Sequence, residues 1–323
     1  MPRGGAVWYS PAILPISTPA QRVGAMVAEA ERVSAGEVRS GKGHKDENFP
    51  VASLLVAAKY RAPILAFYRL ARVADDVADH PDLPPPQKLA LLDSLEASLV
   101  GASRSEPEGV ALRGILAERK LTSRHALDLL KAFRLDVTKS RYEDWNELVD
   151  YCTWSAMPVG RFVLDVHGES PATWAASDAI CTALQINNHL QDCGSDYREL
   201  DRVYLPLDAL AAAGTGVEAL GEVKASPALR ACLAGLARRT REFLDRGSDL
   251  PAQISDARLS IEIRATIELA YAINDRLLAR DPLSERVHLS KPQTLGVTLG
   301  ALANAIMTRF ARKGGRGGKV GRK

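Results

Sequence analysis

Phe67 to Asp79 reads FYRLARVADDVAD, a helical, almost wholly apolar segment that carries three aspartates within five residues. Tyr68, Arg72, Asp75 and Asp79 follow spacings of four, three and four, which places them along one stripe of an α-helix with Asp76 on its shoulder. Aspartate is a weak mid-helix residue, and like charges four apart repel by about 0.2–0.5 kcal/mol, so something must offset the cluster. Leu70, Ala71, Val73, Ala74, Val77 and Ala78 cover most of the remaining circumference. The helix is therefore expected to be buried on several sides, with its carboxylates facing an interior cavity. Unpaired buried charge is costly and clustered carboxylates are hard oxygen ligands, so magnesium is the expected partner. A second reading stands beside this one. DDVAD could simply cap or solvate a helix end, because Pro81, Pro84, Pro85 and Pro86 follow directly.

Leu184 to Pro206, LQINNHLQDCGSDYRELDRVYLP, changes the balance. Gln185, Asn188, Asp192 and Asp196 follow spacings of three, four and four, again a polar stripe ending in two carboxylates one turn apart. Two such helices facing each other would gather at least four carboxylates around one cavity, which no account of surface solvation anticipates.

The rest of the composition sets the frame. With 323 residues, 46% hydrophobic and 25% charged, the chain has the make-up of a soluble globular protein. A formal net charge of +3 points to no nucleic-acid partner. Apolar residues recur every three to four positions over long stretches, which makes an all-α fold the expectation. Cys152, Cys181, Cys193 and Cys232 form no CxxC pair and the six histidines are scattered, so reduced cysteines of a cytoplasmic protein are expected rather than a zinc site. The start has no signal-peptide pattern. The most apolar stretch, Leu295 to Met307, is too short and too polar to span a bilayer.

Residues 1–43 are expected to form a flexible segment with an amphipathic helix over Ala20 to Val38, residues 44–312 one helical domain, and residues 313–323 a disordered basic tail. Within the domain, helices are expected at about 51–58, 61–80, 87–101, 107–118, 122–138, 144–168, 172–197, 206–213, 226–247, 254–280 and 290–312. The helix containing Tyr151 to Gly168, YCTWSAMPVGRFVLDVHG, carries Pro158 and Gly160 inside it. A kink there serves either close helix packing or a bent wall with room for a ligand.

DDVAD with Tyr68 and Arg72 before it, NHLQDCGSD with DRVYLP after it, and YCTWSAMPVG between them resemble the motifs of the squalene and phytoene synthase family. Two motifs and a third segment in the right order make a specific match, covering about Asn48 to Lys291, where DDxxD alone would be weak. The resemblance implies an all-helical isoprenoid-synthase bundle around a central prenyl cavity. With ENFPVAS at Glu47 to Ser53, the likeness is strongest to the bacterial branch that converts presqualene diphosphate to hydroxysqualene in hopanoid biosynthesis, with magnesium and without a nicotinamide.

Carried over by residue, the resemblance makes Asp75 and Asp79 the first metal-binding pair, with Asp76 beside them, and Asn188, Asp192 and Asp196 the second metal site. Tyr68, Arg72, Gln185 and Arg202 match positions that contact diphosphate or shape its pocket, and Lys45 to Asn48 fall where an entry loop does the same. Tyr151 and Tyr204 match pocket tyrosines. Gln191 stands where relatives that make dehydrosqualene carry an arginine, which implies a looser grip on diphosphate.

Such chemistry needs these residue types. Diphosphate leaves only if its charge is neutralised, by metal ions on carboxylates and by forked arginine donors, and the carbocation left behind must sit in an apolar cavity that rations water. No GxGxxG lies at a strand-to-helix junction, which favours water over hydride as the terminating nucleophile. Ser155 is the candidate perch for that water, together with Tyr151 and the carbonyl that Pro158 should free near Trp154; the alternative is a serine bonded back to its own helix. Two other readings remain open: a head-to-head synthase forming presqualene diphosphate, squalene, dehydrosqualene or phytoene, and a non-catalytic assembly factor. A prenyl diphosphate is the expected substrate, peripheral membrane contact is compatible with such a lipid, and no obligate protein partner is evident.

Overall fold

The computed structural model describes Ala35, residues 56–290, Gln293 and Gly296. The expected N-terminal helix, Lys45, Asn48, the helices at 51–58 and 290–312 and the tail at 313–323 fall outside these residues, wholly or nearly so. Eleven α-helices follow one another among the described residues: α1 Ala58–Asp79, α2 Pro85–Val100, α3 Pro107–Arg119, α4 Arg124–Thr138, α5 Trp145–Ser155, α6 Met157–His167, α7 Trp174–Leu200, α8 Leu207–Ala212, α9 Pro227–Gly247, α10 Leu250–Gln253 and α11 Ala257–Ala279. Extended pairing is confined there to one bridge between Arg141 and Val203. None of these helices is long and apolar enough to cross a membrane.

The ends of these helices follow from local chemistry. Pro85 and Pro86 open α2, where a missing N–H costs nothing, and Gly101 closes it at φ +91°, a backbone state that favours glycine. Asp144 caps α5 by accepting from Glu147 N at 2.9 Å, and Asp256 caps α11 through Arg258 N and Leu259 N. α1 starts at Ala58, earlier than expected, and runs through Pro63. It stops at Asp79 because His80 is extended and Pro81 follows.

One expectation needs correcting. The segment 144–168 is not a single kinked helix: it breaks at Ala156, with φ −122° and ψ −48°, and Pro158 sits in the first turn of α6. Proline is tolerated there because the first N–H groups of a helix have no intrahelical partner.

α1 packs on α2, α3, α4 and α6, while α7 packs on α5, α6, α9 and α11. The two motif helices therefore belong to different packing sets that share α6. Leu70, Val73, Ala74 and Val77 bury the back of α1 against Leu92, Leu95 and Leu112. Ile186 and Leu190 of α7 join a second cluster with Leu233 and Leu236 of α9. Each buried leucine of this kind contributes about 1.5–3 kcal/mol, which is how two helices carrying carboxylates are kept in place.

Candidate active site

Tyr68, Arg72, Asp75 and Asp79 of α1 and Gln185, Asn188, Asp192 and Asp196 of α7 line one cavity of about 330 Å³. Both stripes converge as their spacing requires, and DDVAD is more than a solvated helix end. α4 contributes Leu129, Ala132, Phe133 and Asp136, α5 contributes Tyr151 and Ser155, and Arg202 and Tyr204 enter beyond α7.

The route of the chain explains how the last two arrive. α7 ends at Leu200, and Asp201 after it, with φ +49°, turns the backbone. Val203 N then donates to Ser140 O at 2.9 Å and Leu207 N to Tyr142 O at 2.9 Å, pinning residues 202–207 along the end of α4. Arg202 consequently reaches Asp79 at 2.9 Å and the backbone oxygen of Asp136 at 3.0 Å.

Crowded carboxylates hold protons more tightly here than in water. Burial, then the charge of Asp79, pushes Asp75 up to about 7 against the opposing pull of Arg72, although its side chain is 38% exposed. Burial and Asp192 push Asp196 up to about 7 in the same way. Arg72 donates to Asp75 at 2.7 Å and to Asp76 at 2.5 Å, and Asp192 lies 3.4 Å from the His288 ring.

An aromatic wall faces these carboxylates. Tyr151 donates to both carboxylate oxygens of Asp136 at 2.9 Å, and Tyr204 donates to one of them at 2.8 Å. Burial lifts Asp136 to about 6 even though Arg202 and the two tyrosines favour its charged form. His189 lines the cavity too, stacked on Tyr204 with ring centroids 3.5 Å apart. Burial and the charge of Arg202 push its imidazole down to about 3, so it is neutral.

Asp136 and His189 were not anticipated from sequence, yet both left a trace. Asp136 continues the apolar face of Leu129, Ala132 and Phe133, where a charge has no reason to be unless it serves the interior. His189 stands four residues after Gln185, on the same stripe.

Ser155 Oγ and Asn188 Oδ1 are buried without a hydrogen-bond partner, so Ser155 does not bond back to its helix. Because α5 ends at Ser155 and Pro158 has no N–H, the carbonyl of Trp154 lacks a helical donor through the helix break rather than through a kink inside one helix. Two anticipated residues lie outside the cavity lining. Asp76 is buried and held by Arg72, and Gln191 is buried with neither side-chain polar atom paired. Their positions, one residue off each stripe, turn them into the packing instead. Among the described residues no three His, Cys, Asp or Glu side chains converge on one metal position.

A second, largely apolar chamber of about 400 Å³ adjoins the first and shares Tyr68, Ala71 and Val159 with it. Phe67, Phe162, Ile180, Leu184 and Ile263 are among its walls.

Residues 42–293 match the family model described as squalene/phytoene synthase. Over 281 residues the chain is 57% identical to a hydroxysqualene synthase of Rhodopseudomonas palustris, covering 87% of this chain and 96% of that one. It is 52% identical to a hydroxysqualene synthase of Sinorhizobium fredii, covering 86% and 95%. Among solved structures, it is similar to a squalene synthase, HpnC, from Alicyclobacillus acidocaldarius, with a TM-score of 0.62 at 29% identity over 81% of this chain and 94% of that one. A dehydrosqualene synthase in complex with ligand gives a TM-score of 0.68 at 18% identity over 89% and 99%, a likeness of fold.

Proposed function

The chain belongs to the squalene/phytoene synthase family, and from that premise we propose an enzyme that converts presqualene diphosphate into hydroxysqualene. The observation that carries this reading is a carboxylate-lined cavity adjoining an apolar chamber. A substrate with a diphosphate head and a long hydrocarbon body needs both. Relatives that are 57% and 52% identical carry the name hydroxysqualene synthase, which supports this choice within the family.

Asp75, Asp79, Asn188, Asp192 and Asp196 would hold magnesium. The donor set is all oxygen, Asn188 Oδ1 lacks a partner, and Asp75 is repelled by Asp79 and Asp196 by Asp192, a repulsion that a divalent cation relieves. Magnesium is commonly bound by one or two carboxylates plus water and substrate phosphate, which suits a cavity where no three ligands converge beforehand. When bound, it supplies Lewis-acid neutralisation of the leaving diphosphate. Asp76, which does not line the cavity, is left out of this set, and Gln191, which does not line it either, is left out of the substrate contacts.

Arg72 and Arg202 offer forked donors to the diphosphate oxygens, with Tyr68, Gln185, Lys45 and Asn48 as further substrate contacts. The carbon–oxygen bond breaks with its electron pair leaving on diphosphate. The rearranged cation then lies against Leu129, Phe133 and the tyrosine wall, and a single water supplies the hydroxyl. Ser155, unpaired and lining the cavity, helps to seat that water.

Presqualene diphosphate and farnesyl diphosphate offered separately, with the products identified, test this reading. Hydroxysqualene from the first supports it. A C30 product from the second alone favours head-to-head condensation, and no turnover of either favours a non-catalytic role.

A further inference from the structure

We propose that Asp136 is the proton acceptor of the water-capture step, acting through Tyr151. This rests on the reading of the reaction as capture of a carbocation by water. The direction of the hydrogen bonds carries it. A phenol has one hydrogen, and that of Tyr151 is committed to Asp136, both carboxylate oxygens lying 2.9 Å away. Tyr204 spends its hydrogen on the same carboxylate at 2.8 Å, while its oxygen also accepts from Arg202 at 3.4 Å. Towards anything else in the cavity, both tyrosines therefore present lone pairs.

A water bound to such an acceptor points a hydrogen at the phenol and turns its own lone pairs away, which is the orientation a nucleophile needs. Ser155 follows Tyr151 by one turn of α5, and its unpaired hydroxyl can complete the seat. As the water oxygen forms its bond to the cation, one of its protons passes to Tyr151 and the proton of Tyr151 passes to Asp136. The balance is an alcohol, an unchanged tyrosine and a neutral carboxylic acid that later returns its proton to solvent. Asp136 can store that proton because it is buried, and Arg202 keeps it from doing so permanently.

The test uses the full chain with magnesium and presqualene diphosphate, reading alcohol formed per diphosphate released. Asp136→Asn cannot take the proton, and its amide N–H turns one phenol hydrogen towards the cavity, so the alcohol share should fall at least about tenfold. Hydrocarbons formed by proton loss should rise correspondingly. Asp136→Glu keeps an acceptor and should restore part of the alcohol. It also carries the test if circular dichroism finds the Asn variant unfolded. Tyr151→Phe should reproduce the shift, and adding it to Asp136→Asn should cost little more. An unchanged alcohol share in Asp136→Asn would overturn the proposal while leaving the proposed function standing. Loss of diphosphate release itself would place Asp136 in ionisation and overturn it as well. A wild-type enzyme that forms no alcohol would remove both.

Discussion

Arg202, two residues past the end of the second aspartate helix, donates to Asp79, the last residue of the first, at 2.9 Å. That contact joins residues 123 positions apart in sequence. It ties the two carboxylate stripes together from the rim of the cavity, and the same guanidinium holds Asp136 through its backbone oxygen. Arg202→Leu should lower turnover about 10²-fold, as loss of a charged donor aimed at developing charge does. It should also cost about 2 kcal/mol of stability in urea unfolding, the scale of a hydrogen bond to a charged group. Arg202→Lys keeps the charge but not the fork, so it should fall between. Full activity in Arg202→Leu would show that the bridge is dispensable.

Asp192→Asn removes a carboxylate beside Asp196 whose side chain otherwise meets only the outer ring of His288 among the described ion pairs. Turnover should drop by about 10²–10³-fold, while thermal stability in metal-free buffer holds or rises. Asp79→Asn should lose turnover equally but gain no stability, because it gives up the pair with Arg202. Strong destabilisation by Asp192→Asn would mark that residue as structural.

Metal-free protein should lose stability as pH rises from about 5 to 7. Asp75 and Asp196 titrate near 7 and Asp136 near 6 when folded, against 3.8 when unfolded. Between those values the folded state binds more protons, so stability falls with rising pH. His189, held near 3 instead of 6.5, works in the opposite direction below pH 6.5. Three carboxylates outweigh one imidazole. Melting temperatures in chelator at pH 5.5, 6.5 and 7.5 check the sign, and magnesium with diphosphate should flatten the trend. A melting temperature that climbs across this range would contradict the assigned environments.

Ser155→Ala and Ser155→Val should shift products from hydroxysqualene towards rearranged or eliminated hydrocarbons, by gas chromatography with mass spectrometry. An unchanged alcohol yield in both would free Ser155 from any part in holding water.

How much of this was legible beforehand depended on periodicity. Residues 75, 79, 192 and 196 announced themselves because a charge repeated at helical spacing on an apolar helix has few explanations. Asp76 follows from adjacency to Asp75 and Gln191 from a matched motif position, and since a helix turns 100° per residue, a place one residue off the stripe carries either side chain off the face. Asp136 stayed hidden because its partners, Tyr151 and Tyr204, come from other elements and meet it only after folding. The break at Ala156 was read as a kink since Pro158 marks a disruption without saying whether one helix bends or two abut.

The measurement that bears most directly on the account is the product formed when purified protein meets presqualene diphosphate and magnesium, with released diphosphate counted in the same reaction. The account predicts one hydroxysqualene per diphosphate, and no turnover once a chelator removes the metal. Presqualene diphosphate left intact while farnesyl diphosphate is consumed would contradict it.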